Sequence, residues 1–159
     1  MRQLSAWVLF ICRRIQRAPK EKAVTSIQHE LKIAAPRARI VEALTRGPHL
    51  ERWHGAKVTD SGGMLRLEYP SGVTFRWQIV ESTPDRVTWK CIEGPGNSVD
   101  TRATFELSDA GSGRTGVLFE HSGWTDSDPS FRKCNTLWGQ LLHQLQQHLT
   151  PTKTHTAEL

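Results

Sequence analysis

Apolar and polar residues alternate along most of the middle of the chain, which predicts β-strands. In the segment SIQHELKI, the odd positions from 27 to 33 hold Ile, His, Leu and Ile, and the even positions hold Gln, Glu and Lys. The same alternation recurs in MLRLEY, VTFRWQIVE, VTWKCIE, TRATFEL and TGVLFEHSGW, with short turns between the segments. This pattern is typical of an antiparallel sheet with one dry face and one solvated face.

Helical periodicity follows the first predicted strand and returns at the end of the chain. APRARIVEALT and GPHLERW predict two short helices, with Pro36 and Pro48 suited to their first turns. For the last helix, Asp128 is suited to be the N-cap residue and Pro129 to be the first helical residue, and Pro151 is expected to end the helix. Its apolar stripe consists of Phe131, Cys134, Trp138, Leu141, Leu145 and Leu149, widened by Leu137 and Leu142.

The last helix would be about 30 Å long at 1.5 Å per residue, roughly the length of a nine-residue strand. It is therefore long enough to lie across the whole dry face of the sheet. We predict an α+β helix-grip fold, in which a curved antiparallel sheet of about seven strands wraps around a long C-terminal helix. Two short helices follow the first strand.

The formal net charge of +5 comes entirely from the N-terminal segment. Residues 1–23 hold six basic residues and one acidic residue, and residues 24–159 hold 15 of each. A nucleic-acid surface needs positive charge clustered on the folded body, so no nucleic-acid partner is expected. Nor does LSAWVLFIC reach the ~20 residues that span a bilayer. Because its basic cluster follows the apolar run, it is also not a typical secretory signal.

We therefore expect one domain at residues 24–150. The tail at residues 1–23 is expected to be disordered or not part of that domain, and membrane contact by it is not favoured. Residues 151–159 are expected to be a disordered tail. Three cysteines without paired spacing argue against a disulfide framework and a zinc module, and they fit a cytoplasmic protein.

The order of elements resembles the START-like, helix-grip superfamily, also called SRPBCC, and within it the branch named for the activator of the heat-shock chaperone ATPase. The resemblance covers about Thr25 to Leu149. It is carried by APRARIVEALT with LERW, by FRWQIVESTPDRVTWKC, and by FEHSGW leading into CNTLWGQLLHQLQQHL. It implies a deep apolar cavity between the sheet and the last helix, which relatives use for lipids, polyketides and other hydrophobic molecules. Some relatives are cyclases or hydrolases, and others regulate chaperones.

Six tryptophans suggest a large aromatic lining. Trp77, Trp89 and Trp138 come from two strands and a helix that converge, and Trp53 and Trp124 lie at element ends, where they would form a cavity lip. Core packing alone would also explain them. The predicted ligand-binding set is Trp53, Tyr69, Phe75, Trp77, Trp89, Cys91, Phe119, His121, Trp124, Cys134, Trp138 and Leu141.

His121 and His29 have inward parity on the last and first strands. Each is a hydrogen-bonded core histidine, a polar anchor for a ligand, or a general base. We assign no catalytic residue, and His121 is the one candidate. A metal site would need further ligands that no spacing selects, so neither a metal nor a cofactor is expected.

Other nucleophile and acid–base arrangements find little support. Cys91 and Cys134 point to the dry side, where thiols stay protonated. Ser122 lies on the opposite face from His121. Glu81 and Glu93 have inward parity at strand ends, and we interpret them as rim charges.

The leading hypothesis is a carrier or sensor that binds a small hydrophobic molecule without catalysis. One alternative is a cyclase or hydrolase that uses His121 in the same cavity. Another is chaperone ATPase regulation, although activators of that kind carry an additional N-terminal domain that 23 residues do not supply. A homodimer is compatible with the sequence.

Overall fold

One antiparallel sheet and three helices make up the described part of this computed structural model, residues 24–125 and 129–151. The helices are α1 (Arg37–Thr45), α2 (Gly47–His54) and α3 (Pro129–Leu149). The strands are β1 (Val24–Ile33), β2 (Lys57–Ser61), β3 (Met64–Glu68), β4 (Thr74–Ser82), β5 (Arg86–Glu93), β6 (Arg102–Asp109) and β7 (Thr115–Thr125). The predictions for residues 1–23, Asp128 and residues 152–159 lie outside the described residues.

The seven strands lie in the order β1-β7-β6-β5-β4-β3-β2, and every neighbouring pair is antiparallel. The predicted α+β helix-grip fold is therefore confirmed. The last helix begins at Pro129 and ends at Leu149, as the proline positions and the stripe predict. None of the described helices is long and apolar enough to cross a membrane.

The core lies between the inner face of the sheet and α3, and aromatic rings dominate it. Trp138 of α3 packs on Phe119 of β7 with ring centroids 4.4 Å apart, and Trp89 packs on Phe105 at 5.1 Å. The short helices close one end, where α1 buries Leu44 and α2 buries Trp53. Burial of such rings contributes on the order of 2–3 kcal/mol each to stability.

Two β-bulges in the β4–β5 pair change the parity of the strand ends. Ile79 pairs with Trp89 but Glu81 pairs with Thr88, so one extra residue of β4 lies between them. A similar shift puts Glu93 opposite Arg76, with which it forms an ion pair. An extra residue turns the following side chain to the other face. The inward parity expected for Glu81 and Glu93 is therefore wrong, and both lie on the outer face.

Candidate ligand-binding site

A small pocket lies under α3, at the place where the sequence predicts convergence of aromatic rings. Its volume is about 10 Å³, close to the minimum that holds one water molecule. The pocket is lined by His54, Tyr69, Phe75, Trp77, His121, Cys134, Leu137, Trp138 and Leu141.

The described residues do not leave the deep cavity that the resemblance implies between the sheet and α3, because the rings fill the space there. Phe75 stacks on Trp77 with centroids 5.6 Å apart, and Trp77 lies 5.9 Å from Trp89 and 6.4 Å from Trp138. Trp138 is 4% exposed and Trp89 is fully buried. The rings thus form a packed core that leaves only a small space near its edge.

His121 is held by a continuous chain of hydrogen bonds. The indole N–H of Trp138 donates to His121 Nδ1 at 2.8 Å, so this nitrogen is the acceptor. Nε2 therefore carries the proton and donates to Thr101 Oγ1 at 2.7 Å, and the Thr101 hydroxyl donates to the carbonyl oxygen of Ser98 at 2.5 Å. The network ties β7 to α3 and to the segment before β6.

Both imidazole nitrogens of His121 are thus occupied, which bears on the role of a general base. Burial lowers the pKa of His121 to about 3, so the ring is neutral at neutral pH. A base must face the proton that it abstracts, and here the one lone pair faces Trp138. His29 is engaged elsewhere: its Nε2 lies 3.1 Å from Asn135 Oδ1, and it pairs across the sheet with Phe119.

His54 differs from His121 in having one buried nitrogen without a partner in the described part of the chain. It is the last residue of α2, before Gly55, whose left-handed backbone ends the helix. Its Nδ1 lies 2.7 Å from the hydroxyl of Tyr69, and its ring lies 3.9 Å from that of Trp53. Among the described residues, the buried side-chain nitrogens that lack a hydrogen-bond partner are His54 Nε2, Trp89 Nε1 and Trp124 Nε1.

Of these three nitrogens, only His54 Nε2 belongs to a residue that lines the pocket. Burial lowers the pKa of His54 to about 3. Burial is also the main reason that the pKa of Tyr69 is raised, and the nearby Cys134 adds to it. The polar end of the pocket is therefore neutral and can donate or accept hydrogen bonds.

The predicted site residues divide into two groups. Seven of them line the pocket: Tyr69, Phe75, Trp77, His121, Cys134, Trp138 and Leu141. Five do not: Trp53, Trp89, Cys91, Phe119 and Trp124. Trp53 and Trp124 are 1% and 0% exposed, so the lip predicted for them is wrong. Both rings are buried in the core although they lie near the ends of α2 and β7, and the Trp53 N–H donates to the Ala43 carbonyl oxygen.

Sequence reasoning missed His54 and Leu137 as lining residues. The signal for His54 was present, because Leu50, Trp53 and His54 have the spacing of one buried helical face and all three are buried.

Burial raises the pKa of Cys91, and its thiol contacts the Glu93 carbonyl oxygen at 3.4 Å. Within residues 24–125 and 129–151, no group of three or more His, Cys, Asp or Glu side chains is arranged to hold a metal ion.

Comparison with known families gives the same fold assignment. Residues 34–150 match the model of the family described as activator of Hsp90 ATPase homolog 1-like protein. The chain belongs to this family. No curated protein matches it significantly.

Solved structures with the same fold come from several bacteria. The Aha1 dimer of Colwellia psychrerythraea is 24% identical, with a TM-score of 0.71 over 81% of this chain and 98% of that one. A protein from Mesorhizobium loti is 20% identical, with a TM-score of 0.67 over 79% and 96%. A protein from Chromobacterium violaceum is 23% identical, with a TM-score of 0.65 over 79% and 97%. At these identities the likeness shows the fold.

Proposed function

We propose that this family member binds a small, neutral hydrophobic molecule in the pocket under α3, without catalysis. The observation that carries the proposal is His54 Nε2, a buried polar atom without a partner among the described residues, on a residue that lines a mostly apolar pocket. A buried polar group is normally hydrogen-bonded, and an exception calls for an explanation. A ligand that carries one hydroxyl or carbonyl group would supply the missing partner.

The lining selects a neutral ligand over a charged one. Of the residues that the structure describes, no Asp, Glu, Lys or Arg lines the pocket, and burial keeps His54 and His121 uncharged. A charged group would lose its hydration there without gaining an opposite charge, which costs several kcal/mol. Apolar walls with a few polar groups are the usual composition of small-molecule sites.

Entry of a ring-sized molecule requires side chains to move, because the space is about 10 Å³. Tyr69 and Leu137 are half-buried lining residues, and Leu137 lies on α3, which covers the pocket. Their rotation would enlarge the space without breaking the His121 network. The ligand would then lie between α3 and the β3–β4 end of the sheet.

The first test is native mass spectrometry of the purified protein beside its denatured mass. A mass that is lost on denaturation gives the ligand class.

The second test uses two probes of the same shape, 1-phenylethanol and isopropylbenzene, of which only the first carries a hydroxyl group. Binding is measured by calorimetry for the wild type, for His54→Phe and for the outer-face control Ser122→Ala.

We expect His54→Phe to weaken binding of 1-phenylethanol about tenfold, the effect of one hydrogen bond of about 1.4 kcal/mol. Binding of isopropylbenzene should be unchanged, and Ser122→Ala should change neither affinity. Benzoate should bind more weakly than both neutral probes. Equal affinity of wild type and His54→Phe for 1-phenylethanol would contradict the proposal.

The family description names a second candidate, activation of the Hsp90 ATPase. A domain of this fold from Colwellia psychrerythraea carries the name Aha1. The test is the ATP turnover of a bacterial Hsp90 with and without an excess of this protein. A rate that rises with the protein concentration would favour this function, and an unchanged rate would remove it.

A further inference from the structure

A groove of about 400 Å³ crosses the outer face of the sheet near the β1 edge. Leu118 of β7 lies at its centre, between Glu30 of β1 and Glu106 of β6 in the strand register. Glu120 is the next outward residue of β7. Three carboxylate side chains therefore surround one leucine, which is 51% exposed.

Two of the three carboxylates have no ion-pair partner among the described residues. Glu106 pairs with Arg86 of β5, whereas Glu30 and Glu120 form no ion pair there. An apolar side chain beside carboxylates that have no ion-pair partner is complementary to a segment that carries both cationic and apolar residues. The groove thus has a chemical preference that the pocket under α3 does not share.

The chain itself contains such a segment at its N-terminus. Residues 1–23 carry all of the net positive charge, and Arg13, Arg14 and Arg17 directly follow the apolar run LSAWVLFIC. This segment leads into Val24, the first residue of β1, the strand that carries Glu30. The rest of the chain has equal numbers of acidic and basic residues, so this is where cationic charge is concentrated.

The length of the segment permits the contact. Glu30 is six residues beyond Val24, about 20 Å along the strand. Arg17 and Arg14 precede Val24 by seven and ten residues, which span up to about 23 and 33 Å when extended. A tether of this length gives an effective concentration in the millimolar range, so a weak contact suffices.

We propose that the basic N-terminal segment of this chain binds back onto the groove around Leu118 on the outer face of its own sheet. The arginines contact Glu30 and Glu120, and apolar residues of the segment contact Leu118. This interaction is independent of the ligand proposed for the pocket under α3, because the groove lies on the opposite face of the sheet.

The test uses the chain of residues 1–159 with a nitroxide label on Cys12, which is next to the basic cluster. Cys91 and Cys134 are 0% and 7% exposed, so the label is directed to Cys12. Paramagnetic broadening is measured on the backbone amides of the sheet. The variants are Glu30→Gln with Glu120→Gln, and the control is Asp60→Asn on β2, at the other edge of the sheet.

We expect selective broadening at Glu30, Leu118 and Glu120 in low salt. It should fall at least severalfold in about 1 M salt, where the screening length is about 3 Å. The double variant should lose the broadening, and Asp60→Asn should keep it.

Two results would overturn the proposal. One is no selective broadening of these amides at low salt. The other is equal broadening in a mixture of labelled protein and isotope-enriched unlabelled protein, which would assign the contact to a second copy.

Discussion

His121 and His54 lie in the same aromatic core and differ in the hydrogen bonding of their ring nitrogens. Both are almost fully buried, burial lowers both pKa values to about 3, and both rings lie near Trp138. His121 has a partner on each nitrogen, whereas His54 has a partner on Nδ1 and none on Nε2 among the described residues.

The comparison shows that residue type and burial do not define a site. A buried histidine with both nitrogens bonded connects elements of the fold, because each bond fixes a strand, a loop or a helix relative to the ring. A buried histidine with one open nitrogen carries an unmet desolvation cost, which a ligand can offset. We therefore assign a structural role to His121 and the candidate binding role to His54.

The largest effect is expected for His121→Ala. It removes the acceptor of the Trp138 N–H and the donor to Thr101, and it leaves a cavity. We expect the free energy of unfolding to fall by about 3 kcal/mol in urea denaturation. Ser122→Ala, one residue along the same strand, should cost less than about 0.5 kcal/mol. A loss below about 1 kcal/mol for His121→Ala would show that the hydrogen-bond network contributes little to the stability of the fold.

The next effect is the dependence of stability on pH. The folded pKa of each buried histidine lies near 3, below the unfolded value of about 6.5, so the unfolded state binds more protons between these values. Stability is thus complete above about pH 6.5 and is lost as the pH falls below it. From pH 7.5 to 5.5 the two residues together should cost about 2–3 kcal/mol.

Urea denaturation at several pH values checks this slope. His54→Phe should reduce the loss between pH 7.5 and 5.5 by about 1–1.5 kcal/mol, because one of the two almost fully buried histidines is removed. An unchanged slope in this variant would contradict the low pKa of His54. His148, whose pKa is also lowered chiefly by burial, acts in the same direction and is common to both proteins.

A smaller effect is expected for Trp138→Phe, which keeps most of the apolar contact but removes the indole N–H. His121 Nδ1 then loses its donor while Nε2 keeps Thr101. We expect a loss of about 1–2 kcal/mol in the free energy of unfolding. Trp53→Phe is the control for the loss of an indole N–H, because the Trp53 N–H donates to a carbonyl oxygen outside the His121 network. A loss above about 4 kcal/mol for Trp138→Phe would indicate a packing effect instead.

The smallest effect on stability is expected for His54→Phe. The change loses the bond to the Tyr69 hydroxyl, but it also removes the unpartnered Nε2. The two contributions oppose each other, so the free energy of unfolding should change by less than about 1 kcal/mol at neutral pH. A loss as large as that of His121→Ala would show that both histidines are structural.

The fold was predictable from the sequence because it follows from periodicity. The alternation of the strands, the stripe of α3 and its bounding prolines correspond to the observed elements. β2 was not among the segments predicted as strands, because four of its five residues are exposed. The parity of Glu81 and Glu93 was not predictable, because a β-bulge depends on how two strands pair and leaves no mark in one of them.

The candidate site was predictable only in part. Strand parity identified His121 and Trp77, and the helical stripe identified Trp138, but neither pattern showed that the rings fill the cavity, since packing depends on ring orientations. Whether both nitrogens of His121 find a hydrogen-bond partner also depends on the assembled fold, because Thr101 and Trp138 are 20 and 17 residues from His121 in sequence. The choice between His121 and His54 therefore required the structure.

The most direct test of the account is a side-chain ¹⁵N NMR titration of the histidines with 1-phenylethanol. The account predicts that the His54 Nε2 resonance shifts with saturation, while the His121 nitrogens keep the shifts of a neutral, Nε2-protonated ring. A shift at His121 with none at His54 would contradict it, and the binding role would then pass to His121.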